Sequence, residues 1–185
     1  MQLRMKLATI AVAASASALV LAGGPALAST HASTTGPEVI FGQVHGKAAL
    51  ANAPVVPLKF RGVVRTRGVV NLGGPGNARN HTIPTRAGKY AVRLTSRHMS
   101  QSVNKMTCRV AFKETDSYVV RGGASTGTFA GASGHGKVHI KFAFTVSRFT
   151  SGKHKGECNL SNSGYPVRPR TAVASFLAVS TLTLR

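Results

Sequence analysis

The stretch KVHIKFAFTV at residues 137–146 decides the fold class of this chain. Apolar side chains occupy every second position of it: Val138, Ile140, Phe142, Phe144 and Val146. The positions between them are polar, charged or small. Because a β-strand turns successive side chains to opposite faces, this period of two predicts a strand with one face in a core and the other in solvent.

Three further stretches alternate in the same way, with charged residues between the apolar ones. Their apolar sets are Leu58, Phe60 and Val64; Tyr90, Val92 and Leu94; and Cys108, Val110 and Phe112. Glycine-rich turn signals separate the stretches, which predicts an all-β domain of about eight to ten antiparallel strands. We expect a single antiparallel β-barrel, with a β-sandwich as the alternative, because closure removes the exposed edges of a sheet.

The first 28 residues have the features of a cleaved N-terminal signal peptide. Arg4 and Lys6 precede an uncharged run over residues 7–22, and a small-residue cleavage site ends at Ala28. An uncleaved anchor is the alternative, but this run of about 16 residues is shorter than the ~20 that span a bilayer. We therefore expect a signal peptide over 1–28, a flexible arm over 29–36 and a single β domain over 37–185. The protein would be secreted and would have no transmembrane segment after cleavage.

Charge is the most unusual property of the composition. The 185 residues include 24 Lys and Arg but only 4 Asp and Glu, which gives a net charge of +20, or +18 without the leader. This imbalance excludes the mixed surface of an ordinary cytosolic enzyme. Hydrophobic residues make up 43% of the chain, so it can bury a core and is not a disordered polycation.

Cys108 and Cys158 are the two cysteines, and both lie in the part of the chain that would be exported. An oxidising compartment favours pairing them, so we expect a disulfide bond between a strand and a long exposed loop over residues 147–170. Closing a loop of this length would stabilise the fold by about 4 kcal/mol in the chain-entropy description. Two distant thiols without a CxxC partner argue against a metal site, and we predict neither a metal nor another cofactor.

The segment GTFAGASGHG at residues 127–136 resembles a GTG-[FY]-AGA-x-G-x-G pattern of small secreted actinobacterial proteins without an assigned function. Those proteins combine it with an upstream cysteine, an amphipathic strand, a second cysteine and a terminal strand, an order that the C-terminal half of this chain matches. More distantly, the chain is similar to allene oxide cyclase and dirigent barrels. The resemblance implies a barrel. It carries no activity across, because the sites of those families depend on polar and acidic residues that are scarce here.

The same segment has a physical interpretation that does not depend on the resemblance. Its small residues predict a tight strand–turn–strand in which Phe129 packs inward. Gly131, Gly134 and Gly136 would adopt backbone conformations that other residues avoid. We therefore interpret the segment first as a folding device.

Few acidic residues are available for catalysis. Glu114 and Asp116 flank Thr115 in what we interpret as the solvated turn of a hairpin formed by residues 109–113 and 118–121. A general acid and base need two carboxyl groups in different environments within a cleft, so glycosidase-type chemistry is poorly supported.

Two other patterns offer little chemistry. The string GASTG at residues 123–127 fits G-x-S-x-G, but that motif needs a strand-to-helix elbow, and a glycine-rich β segment follows here. His135 and His139 lie about 13 Å apart along a strand that rises ~3.3 Å per residue, which is too far to share a metal. We expect exposed histidines and no catalytic residue.

Basic side chains alternate with the apolar ones and should coat the outside of the barrel. The candidates for binding polyanions are Lys59, Arg61, Arg65, Arg93, Arg109, Lys113 and Lys141. They either solvate the surface or attract teichoic acids, anionic lipid headgroups, extracellular DNA or an acidic partner. Sequence-specific nucleic-acid recognition is not expected, because the chain has no Trp and only 3 Tyr for base stacking.

The leading hypothesis is thus a secreted, disulfide-bonded, non-catalytic barrel that associates with anionic polymers of the cell envelope, including the cell wall. The alternative is a barrel with an apolar pocket that binds or isomerises a small hydrophobic ligand. The candidate pocket residues are Phe60, Tyr90, Phe112, Phe142 and Phe144. The alternative fails if these side chains fill the interior completely.

Overall fold

Eight strands and three short 3-10 turns make up the part of the chain described by the computed structural model, residues 32–51, 53–72, 79–160 and 167–185. The strands are β1 (Thr34–His45), β2 (Val55–Gly62), β3 (Arg67–Asn71), β4 (Asn80–Thr85), β5 (Gly88–Asn104), β6 (Arg109–Val120), β7 (Ser133–Val146) and β8 (Val167–Leu184). The 3-10 turns are Gly46–Leu50, Gly122–Ala124 and Gly127–Phe129. The predicted signal peptide and residues 29–31 of the predicted arm lie outside the described residues.

All eight strands belong to one closed antiparallel barrel, in which each strand pairs with the next along the chain. β1 and β8 close the barrel by pairing along the whole of β1, from Thr34 to His45. The shortest ladder joins β3 to β4 through the single pair Gly68 and Thr85. The predicted all-β barrel is confirmed, and the β-sandwich alternative is wrong. No helix in the described ranges is long and apolar enough to cross a lipid bilayer.

Three boundaries differ from the sequence-based expectations. β6 continues through Glu114 and Asp116, so the predicted hairpin turn is wrong; ladders to β5 and β7 run through both residues and outweigh the local turn preference. β8 starts at Val167, so the last four residues of the predicted loop over 147–170 are strand. β1 starts at Thr34, three residues before the predicted start of the β domain.

The barrel core consists of two clusters, one towards each end. The first contains Phe60 and Tyr90 and is closed by Phe129, whose ring centroid lies 5.9 Å from that of Phe60 and 5.1 Å from that of Tyr90. The second contains Val110 and Phe144 together with residues next to the disulfide bond. Its members among the buried residues are Ala49, Cys108, Val110, Phe144, Val146, Ala172 and Ala174.

The glycine-rich segment after β6 only partly follows the prediction. Phe129 is fully buried, but it is carried by a 3-10 turn, and β7 starts at Ser133. Gly131 has a φ of 68°, a left-handed conformation that glycine adopts without strain. Gly136 is extended instead, and a Cβ atom there would lie 2.4 Å from the carbonyl oxygen of Val179. It is therefore the close approach of β8 that requires glycine at this position.

A disulfide bond connects Cys108 and Cys158, whose Cα atoms are 5.3 Å apart, and this confirms the predicted pairing. Cys108 lies directly before β6, and Cys158 lies in the connection between β7 and β8. Arg148, from the same connection, donates hydrogen bonds to the carbonyl oxygens of Lys105 and Met106 at 3.2 and 2.6 Å. The disulfide bond and Arg148 thus attach this connection to the β5–β6 turn.

Candidate functional site

A cavity of about 100 Å³ remains inside the barrel. Most of its wall is apolar and consists of Ile40, Val70, Leu72, Ile83, Val92, Leu94, Val138, Ile140, Phe176 and Ala178. Polar side chains interrupt this wall: Asn71, His81, Tyr90, Arg97, Glu114, Asp116 and Tyr118. Since an apolar protein cavity of ~150 Å³ admits benzene, this smaller space sets about one ring as the upper limit for a ligand.

β6 brings both of its carboxyl groups to this cavity. Its inward positions are, in chain order, Val110, Phe112, Glu114, Asp116, Tyr118 and Val120. Apolar and aromatic residues on both sides hold the strand against the core, so the two carboxyl groups between them have to face the interior as well. The sequence-based interpretation as a solvated turn missed this pair.

A β-bulge places a guanidinium group beside the pair. The register of β5 on β6 shifts between Leu94 and Ser96, which inserts one extra residue into β5. The shift turns Arg97 rather than Ser96 towards the cavity, opposite Asp116. The Nε of Arg97 then donates a hydrogen bond to Oε1 of Glu114 at 2.6 Å.

Asp116 is the least satisfied group of the cavity wall. Its side chain is 1% exposed; the backbone amide of His98 and the guanidinium of Arg97 act on it, but no side-chain donor of the described residues forms a well-aligned hydrogen bond with either carboxyl oxygen. Burial and the neighbouring Glu114 carboxylate raise the pKa of Asp116 to about 6. At neutral pH the group is therefore mostly ionised while its carboxyl oxygens lack such a side-chain donor, an arrangement that costs free energy and is typical of functional sites.

A second set of polar side chains lies on neighbouring strands at the same level of the barrel, which we call the polar layer. Glu38 on β1 is opposite Ser180 on β8, Ser180 is opposite Gly136 on β7, and Gly136 is opposite Tyr118 on β6. Because Gly136 has no side chain, Ser180 and Tyr118 face each other across the gap it leaves. Tyr90 also contributes its hydroxyl group to this region.

Most polar atoms of this layer lack well-formed hydrogen bonds. Oε2 of Glu38 accepts a hydrogen bond from the Val64 amide at 2.8 Å. Oε1 of Glu38 has no donor of good geometry among the described residues, and the hydroxyls of Tyr90, Tyr118 and Ser180 lie close to one another without well-aligned hydrogen bonds. Burial raises the pKa of the Glu38 carboxyl and of both tyrosine hydroxyls, because it disfavours the charged form of each group.

Of the five predicted pocket residues, Tyr90 is the one that lines this cavity. Phe60 packs behind it, with the two ring centroids 5.8 Å apart. Phe112, Phe142 and Phe144 pack on one another nearer the disulfide end, with Phe142 lying 6.3 Å from Phe112 and 5.3 Å from Phe144. The aromatic side chains therefore fill the ends of the barrel and leave space between them.

The other candidate patterns have structural roles or face solvent. Ser125, from the G-x-S-x-G string, is buried; its Oγ accepts from the Ala91 amide and donates to the Arg121 carbonyl, both at 3.0 Å. Ser125 thus connects a loop to β5. His135 and His139 are exposed, as predicted. Within the described ranges, no three His, Cys, Asp or Glu side chains lie close enough together to hold a metal.

All seven predicted polyanion-binding residues are exposed. Six lie on strands, while Arg65 lies in the connection between β2 and β3 and therefore does not share a strand face with Lys59 and Arg61. The acidic residues show the opposite distribution. Glu38 and Asp116 are buried, and the Glu114 side chain is 17% exposed, whereas Glu157 is 66% exposed and contacts His154 at 3.0 Å on the surface.

Comparison with known proteins leaves the site to be interpreted from its own geometry. The chain matches no protein-family model, no curated protein and no solved structure.

Proposed function

We propose that this protein binds a small amphiphilic molecule inside the barrel, with an apolar body of about one ring and a cationic or hydroxyl group directed at Asp116. The observation that carries the proposal is the Asp116 carboxyl, which is buried at the cavity wall without a side-chain hydrogen-bond donor among the described residues. An ammonium or hydroxyl group would supply that donor. The apolar wall would cover the rest of the ligand, as in most small-molecule sites.

The neighbouring charges define what the ligand should look like. Arg97 is engaged by Glu114, so this pair contributes little net charge. An ionised Asp116 then leaves the cavity with an excess negative charge, which favours a cation over a carboxylate ligand. The hydroxyls of Tyr90 and Tyr118 offer further hydrogen bonds to a neutral polar group.

Benzylamine, benzyl alcohol and benzoate test the proposal as probes of one ring each, with binding followed by NMR chemical-shift titration. We expect benzylamine to bind best and benzoate worst at pH 7.5. Asp116→Asn should weaken benzylamine about tenfold or more, the loss typical of one charge-assisted hydrogen bond, and should affect benzyl alcohol less. Glu157→Gln is the matched control, because that carboxyl faces solvent. Equal benzylamine affinity in Asp116→Asn and wild type would refute the proposal.

The same titration has a predicted pH dependence. Benzylamine affinity should rise as pH increases through about 6, because Asp116 loses its proton in that range. His81 and Arg97 also face the cavity. Asp116→Asn isolates the contribution of the carboxyl, since the rise should disappear in this variant. A wild-type affinity that stays constant from pH 5 to pH 7.5 would contradict the role of Asp116.

We propose as a second function that the exterior associates with anionic polymers of the cell envelope. The segregation of charge supports it, because three of the four acidic residues are turned away from the surface that carries the basic ones. Poly(glycerol phosphate) is a suitable probe. Affinity should fall steeply with salt, and Arg109→Gln with Lys113→Gln should reduce the slope of log K against log salt by about 1–2. Binding that is unchanged between low and high salt would contradict this function.

A further inference from the structure

Four apolar side chains form a small patch on the outside of the seam where β1 meets β8. This seam patch consists of Val39, Phe41, Leu177 and Val179. Phe41 is opposite Leu177 and Val39 is opposite Val179, so the four form a two-by-two block across the seam. Phe41, Leu177 and Val179 are 36%, 41% and 47% exposed, which is high for large apolar side chains in the middle of strands.

Basic side chains flank the seam patch on both sides. On β2, Lys59 is opposite Phe41 and Arg61 is opposite Val39. On β7, His139 is opposite Leu177 and Lys137 is opposite Val179. Each of the two rows across the seam therefore has the order base, apolar, apolar, base. With strands ~4.8 Å apart, the two basic flanks are separated by about 14 Å.

No acidic side chain opposes these bases. The chain has four acidic residues, of which Glu38 lies under the seam in the interior, Glu114 and Asp116 lie at the cavity, and Glu157 lies in the β7–β8 connection. The flanks of the seam patch thus carry uncompensated positive charge.

We propose that the seam patch docks onto the surface of an anionic lipid bilayer. The four apolar side chains would enter the boundary between headgroups and acyl chains, and the flanking bases would contact lipid phosphates above them. Charge complementarity selects an anionic surface, and the apolar centre selects a bilayer over a soluble polyanion, which offers nothing apolar to bury. The proposal uses the cationic exterior of the second proposed function and goes further by assigning one face and one surface to it.

Fluorescence tests the docking directly because the chain contains no Trp. Leu177→Trp introduces a single tryptophan into the seam patch, whose emission can be excited apart from that of the tyrosines. Its emission should shift to the blue with vesicles of equal parts phosphatidylcholine and phosphatidylglycerol, and should not shift with phosphatidylcholine alone. Met106→Trp is the matched control, since Met106 is 88% exposed in the β5–β6 turn, away from the seam. An equal shift at both positions, or none at Leu177→Trp, would overturn the proposal.

Co-sedimentation with the same vesicles tests the apolar contribution. Phe41→Ser with Leu177→Ser should reduce binding to anionic vesicles by about tenfold or more, because two inserted side chains are lost. Val55→Ser with Val69→Ser is the control for removing exposed apolar groups outside the seam patch; these residues are 53% and 43% exposed. All variants remove surface groups, and thermal unfolding checks that they fold.

Poly(glycerol phosphate) distinguishes failure of docking from failure of the second proposed function. If the seam patch acts as proposed, Phe41→Ser with Leu177→Ser loses vesicle binding but keeps wild-type affinity for this soluble polymer. If that variant binds vesicles as well as wild type does, docking is wrong and simple electrostatic association remains. If wild type binds neither vesicles nor polymer, both proposals are wrong.

Discussion

The inside and the outside of this barrel are built by the same strands but carry opposite charges. β6 shows the contrast within four residues, because Lys113 is exposed while its neighbour Glu114 and the next inward residue, Asp116, face the cavity. Glu38 repeats the pattern on β1. A net charge of +20 therefore understates how positive the exterior is, since most of the compensating acids lie inside.

Because of this difference, the interior should respond to pH and the exterior to salt concentration. Carboxyl groups in the interior are shielded from counterions, and their free energy depends on whether they are protonated, so the interior should respond to pH. The Lys and Arg side chains on the exterior interact through water and counterions, so the exterior should respond to salt.

The largest contrast is expected between two phenylalanines, one inside and one outside. Phe129→Ala removes a fully buried ring that closes one end of the barrel, and should lower the free energy of unfolding by about 3–5 kcal/mol. Phe41→Ala removes a ring that is 36% exposed, and should cost about 1 kcal/mol or less. Urea unfolding measures both. If both variants lose a similar amount of unfolding free energy, Phe129 does not close the end of the barrel in the way that its packing indicates.

Two glycines make the next comparison. Gly136→Ala would place a Cβ atom 2.6 Å from the Cβ of Ser180 and 2.4 Å from a main-chain oxygen, so β8 would have to shift at a cost of about 3 kcal/mol. Gly123→Ala is the control, because no atom lies within 4 Å of its added Cβ. Unfolding midpoints should fall for the first variant and stay near wild type for the second. An unchanged unfolding midpoint in Gly136→Ala would show that the polar layer can accommodate an added methyl group.

Asp116→Asn tests the response of the interior to pH. The carboxyl of Asp116 has a pKa of about 6 in the folded state and 3.8 as its ordinary value, so between these values the folded protein holds a proton that the unfolded chain has released. Wild-type stability should therefore fall as pH rises from about 4 to 6, by about 2 kcal/mol. The variant should lack this part of the fall and be more stable than wild type at pH 7.

Glu157→Gln is the matched control for this experiment, because it removes an exposed carboxyl. Its stability should follow the wild-type pH profile. Glu38, whose pKa is also raised by burial, remains in both variants and contributes in the same direction, so the difference between profiles isolates Asp116. Parallel profiles for wild type and Asp116→Asn would mean that the Asp116 carboxylate is stabilised by groups that the cavity does not show.

The sequence predicts the strands well where alternation is unbroken. In residues 137–146 the periodicity is local, so the inward set of β7 is correct without knowledge of any partner strand. The same alternation continues along β6. Its apolar and aromatic residues occupy even positions both before and after the acidic pair: Val110, Phe112, Tyr118 and Val120. That unchanged parity indicates that Glu114 and Asp116 face inward, whereas their polarity favours a turn, and the turn is the prediction that is wrong.

Other parts of the site depend on contacts between distant strands. The bulge in β5 is visible in the sequence as a change in the alternation pattern. Large apolar residues occupy even positions at Tyr90 and Leu94 but odd positions at Met99 and Val103. Nothing local shows that the extra residue would set Arg97 beside Glu114. The burial of Glu38 depends on the pairing of β1 with β8 and on the amide of Val64, which lies in the connection between β2 and β3. Such contacts exist only after the barrel has closed.

The smallest effect is expected on the exterior, and there salt rather than pH should reveal it. Arg109→Gln with Lys113→Gln removes two exposed charges from the outer face of β6 and touches no buried group. Removing like charges from a strongly positive surface should raise the free energy of unfolding at low salt by about 0.5 kcal/mol, because repulsion in the folded state is reduced. At high salt the difference should vanish, since the Debye length is ~3 Å at 1 M. A gain that persists at 1 M salt, or that changes between pH 4 and 6 as Asp116→Asn does, would show that the two regions are coupled and that the separation of charge by the barrel wall is incomplete.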